Sequence, residues 1–301
     1  MNGFAMGSTM RIVAPYPNII AFYDGRIAGV RAHSEGPNWL DDGAFTLGTA
    51  SYVIHEGDEA LVYDTHMSIP HARLIRAELE RRGLTKLRVI LSHWHVDHVA
   101  GNEVFADCEI IANPLTAEAL VDNRDYLENN DPPIKPLVLP TTILPGETTL
   151  RVGSIEVDVR FLDIHSHDGT VLLLPQSGVL LAGDTIEDTV TYVTQPDRLA
   201  IHLRDLARMD SWSFSRILPN HGSYERIAAG GYGREFIAAT RLYVEKLQRL
   251  AVDPRLADLS LRNFASESIA TGGVDYFDAY EPVHRHNVKA VLALEPRQPS
   301  A

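Results

Sequence analysis

Cysteine is almost absent from this chain. Cys108 is the only one in 301 residues, so no internal disulfide can form, and its presence is neutral on compartment. It sits in CEIIAN, which reads as a strand carrying a small buried residue rather than a nucleophile. Long apolar runs are also missing. No stretch of eighteen apolar residues exists, so no transmembrane helix is expected. The opening MNGFAMGSTMRIVAPYPNII lacks a basic region followed by an apolar run, which argues against a secretory signal and for a cytoplasmic protein. Positive charge is scarce. Lys and Arg number 27 against 40 Asp and Glu, for a net charge of −13. Phosphate backbones need Lys and Arg, so nucleic acid is not the expected partner, and neither is an anionic membrane. What remains is ordinary for a soluble globular protein, 45% hydrophobic and 22% charged. The length suits one large domain or two small ones.

One stretch stands apart, LRVILSHWHVDHVAGN at residues 87–102. Val89, Ile90 and Leu91 read as a buried strand. It ends in His93, His95, Asp97 and His98, all within six residues. Imidazoles and carboxylates need partners when buried, and packing alone explains them poorly. In an extended segment side chains alternate, so His93 and His95 point the same way and can share one ion. Asp97 continues that face, and a turn after it lets His98 swing inward. These are ligand types that zinc prefers, although imidazole also suits iron and other first-row metals.

His93-Trp94-His95-Val96-Asp97-His98 resembles the HxHxDH signature of the metallo-β-lactamase superfamily. That resemblance implies an α/β four-layer αβ/βα sandwich with a metal site at its edge. The expected organisation is a single domain over 1–301, with 223–301 a helical C-terminal elaboration of it. The elaboration would shape a substrate pocket or make a homodimer contact.

The remaining pattern agrees with that expectation. Residues 19–23 read as a strand, with Asp24-Gly25 as a turn, and 33–46 as a polar loop holding Trp39. Residues 49–54 and 60–63 read as a hairpin ending at Asp64-Thr65-His66. Asp64 is either a turn or cap residue or, by the resemblance, a support behind the metal ligands. Pro70 to Arg82 reads as a helix with Leu74, Ile75 and Leu79 as its buried stripe and Gly83 as its stop. A strand at 109–112, a helix at 115–128 and a Pro-rich loop at 131–146 follow; that loop borders the substrate cleft or merely connects. Strands are expected at 149–152 and 155–162, the latter with Ile155, Val157, Val159 and Phe161 on one face. A further hairpin pairs 171–174 with 179–181. A helix at 199–209, a strand at 215–218 and helices near 235–250, 255–269 and 276–294 complete the reading. His33, His55, His71 and His202 read as structural, and His284 with His286 as a surface pair.

Three second-half strands end in a ligand-type residue: His165, Asp184 and His221. By the resemblance, His93, His95 and His165 hold a first metal, Asp97, His98 and His221 a second, and Asp184 bridges them. His167 competes with His165, but the frame His165-Ser166-His167-Asp168-Gly169 fits the family better with His165 as ligand. The cofactor implied is two divalent ions, most naturally zinc, with iron or manganese as alternatives. Such a pair, about 3.5 Å apart, would share a hydroxide that attacks a carbonyl or phosphoryl centre, with Asp97 or Asp184 shuttling the proton. Tyr192, or less favourably Tyr224, would hydrogen-bond the substrate carbonyl. By the same resemblance an Asp at 184 points away from lactam hydrolysis and towards the lactonase, thioesterase and phosphodiesterase branches, and the acidic composition leaves a small ester, lactone or thioester as the leading substrate. A glutathione-type thioester would need cations such as Arg226, Arg234 and Lys246. The rival readings are a phosphodiesterase, a mononuclear iron oxidoreductase of the persulfide dioxygenase type and a non-catalytic metal-binding protein.

Overall fold

Two β-sheets lie face to face in the computed structural model, which describes residues 4–41 and 43–294. The first has seven strands in chain order: β1 (Arg11–Tyr16), β2 (Ile19–Asp24), β3 (Thr49–Glu56), β4 (Glu59–Tyr63), β5 (Lys86–Ile90), β6 (Glu109–Ala112) and β7 (Thr142–Ile143). Pairing is antiparallel from β1 to β4 and parallel from β4 to β7. The second holds β8 (Thr148–Val152), β9 (Ile155–Ile164), β10 (Ser166–Leu174), β11 (Val179–Gly183) and β12 (Arg216–Pro219), in the order β12-β11-β10-β9-β8. Only β11 and β12 run parallel there. Parallel neighbours need a crossover, and helices α1 (Ile69–Arg81), α2 (Val96–Val99), α3 (Pro114–Asp122), α4 (Arg124–Glu128) and α5 (Leu199–Asp210) supply those connections. After β12 come α6 (Tyr224–Ala228), α7 (Glu235–Gln248), α8 (Leu261–Phe264), α9 (Ser266–Ala270) and α10 (Glu281–Leu292). Among the described residues no helix is long and apolar enough to cross a membrane.

The core lies mainly between the sheets. Ile19, Ala21, Tyr52, Leu61 and Ile90 of the first meet Val157, Val159, Leu172 and Leu180 of the second. Three buried tyrosines cross that interface. Tyr23, Tyr52 and Tyr63 donate their hydroxyls to the carbonyls of Gly222, Pro219 and Thr170, at 2.9, 2.5 and 2.5 Å. A buried phenol needs such a partner, and these partners hold the two sheets in one register. The outer face of the first sheet packs Phe22, Val53 and Val89 against Ile75 and Leu79 of α1 and Leu120 of α3. A third cluster joins α7, α8 and α10 to Leu47, Val190 and Val193, residues of two loops beside the sandwich edge. The architecture is therefore the expected α/β sandwich of helices, sheet, sheet and helices.

Several details differ from the sequence reading. β1 and the two-residue β7 carry too little apolar alternation to be read, since they are edge strands half open to water. Leu74 is 42% exposed, because the α1 stripe runs through His71, Ala72, Ile75 and Leu79. On β9 the buried phase shifts to Leu162 and Ile164, leaving Phe161 half-buried, close to an irregularity in its pairing with β10. The expected helix at 115–128 is α3 and α4 with a break at Asn123, and that at 255–269 is a 3₁₀ turn followed by α8 and α9. Cys108 precedes β6 and is only half-buried. His284 is buried on α10 and faces the Tyr243 hydroxyl at 3.0 Å; His286 is exposed as expected. Residue 42 of the polar loop and 295–301 of the C-terminal elaboration lie outside the described residues.

Gly101 shows how closely the first half is packed. A Cβ there would stand 2.2 Å from the Thr65 carbonyl oxygen and 2.4 Å from Ala72 Cβ on α1. Overpacking of this kind costs about 1–3 kcal/mol. Gly101→Ala is expected to lower the unfolding free energy by that amount, read as a lower urea midpoint at an unchanged m-value; an unshifted midpoint would show that Thr65 and α1 move aside to admit the methyl.

Candidate metal centre

The candidate ligands lie at strand ends or in the short helix that follows one. β5 leads into His93, β11 into Asp184 and β12 into His221, while His165 forms the turn between β9 and β10. Backbone bonds align these ends. The Asp64 amide donates to Ile90 O at 3.1 Å, Asn220 N to Gly183 O at 2.9 Å, and Thr170 N to Ser92 O at 2.7 Å across the sheets. His165 achieves its turn with φ +64°, a left-handed backbone uncommon for a residue with a Cβ.

The seven side chains named from the sequence converge. His95 Nδ1 lies 2.9 Å from His93 Nε2 and 2.9 Å from His165 Nε2. Asp184 Oδ2 lies 3.1 Å from His98 Nε2 and 3.2 Å from His221 Nε2, and Asp97 Oδ2 is 3.1 Å from His221 Nε2. The same Asp184 oxygen is 3.6 Å from both His93 Nε2 and His165 Nε2, so it touches both groups. His167 stays outside, its Nδ1 paired with Gln195 Nε2 at 2.9 Å.

The donor set fits a divalent cation, and the outward-facing nitrogens show why. His98 Nδ1 faces Asp64 Oδ2 at 2.9 Å, His221 Nδ1 faces Gly48 O at 2.6 Å, and His165 Nδ1 faces Tyr192 O at 2.9 Å. An acceptor on the outer nitrogen holds a ring proton there and turns the inner nitrogen into the cluster, where it offers a lone pair once any second proton is lost. Inner lone pairs then meet at 2.9 Å with few protons to share, and Asp184 Oδ1 is buried with no hydrogen-bond partner. A positive charge between them satisfies all of these atoms together.

Electrostatics divide the histidines in two. Burial pulls His93 well below the ordinary imidazole range and takes His95 down to about 3, with neighbouring imidazoles pushing the same way. Burial also opposes charge on His98 and His221, but Asp184 and Asp97 outweigh it and hold both well above that range. The carboxylates show the converse. Burial alone would raise Asp97 and Asp184, and the facing imidazoles hold them well below the usual range.

Asp64 emerges as a support rather than a turn residue. One oxygen accepts from the Ser92 amide at 2.6 Å, and the other accepts from Asn220 Nδ2 at 2.6 Å while facing His98. Asp168, also buried, accepts from the Trp94 amide at 3.0 Å and so ties the histidine loop to β10. Glu187, buried at 1%, lies 3.2 Å from His165 Nδ1. It was not singled out in the sequence, where its one signal is an acid three positions after Asp184.

A cavity of about 340 Å³ opens onto the cluster. Its walls include Trp39, Leu47, Trp94, Tyr126 and Tyr192, with His95, Asp97 and Asp184 at its base. Trp94 and Tyr126 meet edge to face with centroids 6.3 Å apart, and Tyr192 packs on His286 at 4.7 Å. Tyr224 lies elsewhere, under the Arg11 guanidinium and against Tyr23. The Pro-rich loop contributes no wall; Ile134 and Leu137 pack into the core instead.

The metallo-beta-lactamase superfamily model matches residues 44–214, more than half of the sequence. An atrochrysone carboxyl ACP thioesterase of Emericella nidulans is 26% identical over 176 residues, covering 58% of this chain and 52% of its own length. A second, from Aspergillus novofumigatus, is 26% identical over 210 residues, covering 69% and 60%. The chain thus spans about half to three-fifths of the length of these curated relatives. Among solved structures, a metallo-beta-lactamase from Pontibacter korlensis superposes with a TM-score of 0.60 at 14% identity, over 78% of this chain and 99% of that one. The DIM-1 metallo-beta-lactamase gives 0.58 at 20% identity, over 78% and 96%. At such identities the likeness is one of fold.

Two outcomes are expected. Asp64→Asn, which keeps one acceptor but loses the charge behind His98, should weaken metal affinity roughly 10–100-fold in a chelator competition; wild-type affinity would reduce Asp64 to backbone support. Loading the metal-free protein at neutral pH should release protons, because His98 and His221 are held above their ordinary range and give up a proton to bind, whereas His93 and His95 are already neutral. Acidification should therefore weaken loading. Calorimetry in buffers of different ionisation enthalpy reads the release, and identical heats across buffers would contradict it.

Proposed function

The chain belongs to the metallo-beta-lactamase superfamily, and on that footing we propose that it is a metal-dependent hydrolase of small acyl substrates, with a thioester ahead of an ester or lactone. The observation that carries this reading is Asp184 Oδ2 within reach of both donor groups, at the base of an open pocket. His93, His95 and His165 would hold one cation, Asp97, His98 and His221 a second, and Asp184 both. Two zinc ions suit this set of nitrogens and oxygens, and iron or manganese are compatible with it. Such ions, when bound, supply a water of lowered pKa and a Lewis acid for the acyl oxygen.

The chain's own residues account for the rest. Asp97 lies at the base of the pocket, where its carboxylate can relay a proton from the incoming water to the leaving group. Tyr192 would donate its hydroxyl to the acyl oxygen. Trp39, Leu47, Trp94 and Tyr126 exclude water from the acyl group and offer it apolar and aromatic faces.

Charge narrows the substrate. Among the described residues no lysine or arginine lines the pocket. Arg226 is engaged by Asp275, Arg234 by Asp210, and Lys246 sits over Phe264. The anchors that a carboxylate-rich glutathione thioester would need are thus committed elsewhere. An uncharged acyl group fits the walls better, and the thioesterase names of the relatives from Emericella nidulans and Aspergillus novofumigatus point the same way.

Metal-loaded protein tested on thioester, aryl ester, lactone, phosphodiester and β-lactam substrates is expected to hydrolyse the thioester fastest. Chelation should abolish turnover, and Asp184→Ala should remove both activity and most bound metal. Full activity in that variant, or after chelation, would end the proposal. One iron per chain with oxygen consumption would replace it with an oxidoreductase.

A further inference from the structure

Glu187 is a buried carboxylate in contact with His165 and Tyr192 of the wall of the candidate metal centre and with Tyr280 behind it. It is 1% exposed, and no lysine or arginine pairs with it among the described residues. Its Oε1 accepts from the Tyr192 amide at 2.8 Å and lies 3.2 Å from His165 Nδ1. Its Oε2 accepts from the Tyr280 hydroxyl at 3.4 Å. Burying a carboxylate without a cationic side chain is costly, so the compensating charge must come from somewhere else. The side chain nearest Glu187 that can convey positive charge to it is His165, whose inner nitrogen joins the donor cluster, while Arg26 lies farther off, over the Tyr280 ring.

We propose that Glu187 is a positioning residue that fixes the ring of His165 and strengthens it as a metal ligand. The Nδ1 proton of His165 points between Tyr192 O at 2.9 Å and Glu187 Oε1 at 3.2 Å, so Nε2 is the nitrogen left to bind. A carboxylate near the outer nitrogen raises the basicity of the inner one. Glu187 has a second hold on the same histidine. By accepting from the Tyr192 amide it fixes the segment whose carbonyl also faces His165. That segment is clamped from the C-terminal side as well, where Asn287 of α10 accepts from Val193 N at 2.8 Å and donates to Thr191 O at 2.8 Å. The strained turn at His165 supplies position but no ring orientation, and Glu187 supplies the latter.

This inference rests on the reading that His93, His95 and His165 hold a cation. The test uses the full-length protein titrated with Co²⁺, whose visible spectrum reports the ligand field, and with Zn²⁺ in chelator competition. Glu187→Gln keeps shape and one acceptor while removing the charge; Glu187→Ala removes both. The weaker of the two expected cation affinities should fall roughly 10–100-fold in Glu187→Ala, with Glu187→Gln between it and wild type, and the Co²⁺ bands should shift in both. Metal-free Glu187→Gln should melt no lower than the metal-free wild type. Wild-type affinities and Co²⁺ spectra in both variants would overturn the role of Glu187. A wild type that binds no metal would instead overturn the underlying reading.

Discussion

Five imidazoles and two carboxylates share a volume in which their inner atoms stand about a hydrogen bond apart. The outer nitrogens of His98, His221 and His165 are occupied by Asp64, Gly48 O and Tyr192 O, so their inner nitrogens are turned into the cluster, beside a buried Asp184 oxygen with no hydrogen-bond partner, where a positive charge would satisfy them together. This electrostatic demand for a central cation is the constraint around which the molecule is built. Burial sharpens it, because low dielectric makes each unpaired polar atom costly. It also explains why so many surrounding groups are buried acids and amides. Asp64, Asp168 and Asn220 have no place in an apolar core except as holders of the loops that carry the donors.

The sandwich meets that demand by bringing strand ends from both sheets to one edge. Parallel pairing of β4 with β5 and of β11 with β12 puts their C-terminal ends side by side, where Asp64, His93, Asp184 and His221 emerge. The sheets are registered against each other by the Tyr23, Tyr52 and Tyr63 hydroxyls, which reach backbone carbonyls on the opposite side. Side chains alone could slide past one another by a fraction of an ångström; hydrogen bonds across the core cannot do so freely. Donor atoms drawn from both sheets need that stiffness, since metal geometry tolerates errors of only about 0.2 Å.

The helices after β12 extend the centre rather than merely covering the fold. Val190 and Val193 join their apolar cluster, Tyr280 reaches Glu187, and Asn287 holds the segment that carries Tyr192. The helices themselves, with Tyr280 and Asn287, lie beyond residues 44–214, so the pocket wall next to His165 is buttressed by parts of the chain outside the matched region. The other wall comes from the loop of Trp39 and from Trp94 and Tyr126. Together these surfaces make a site with aromatic and apolar walls over a base of imidazoles and carboxylates.

What could be read from the residues alone was whatever local patterning encodes. His93, His95, Asp97 and His98 sit within one six-residue run, and His165, Asp184 and His221 each follow an apolar run, so strand periodicity and ligand chemistry marked them as candidates and the resemblance to the HxHxDH family grouped them. The order of sheets and helices was legible for the same reason, except at edge strands β1 and β7 and in the short helices after α7, where alternation is weak. Other features depend on residues distant in sequence and leave no local trace. That Asp64 is a support and not a cap is decided by contacts to Ser92, His98 and Asn220. That Glu187 faces His165, that His284 is buried, and that Arg226 and Arg234 are spent on Asp275 and Asp210 follow from how the C-terminal helices dock. The sequence by itself determined which atoms could bind a cation; only tertiary packing decided which groups orient them and what shape of molecule can approach, because orientation and access are set by neighbours that the chain brings together from far apart.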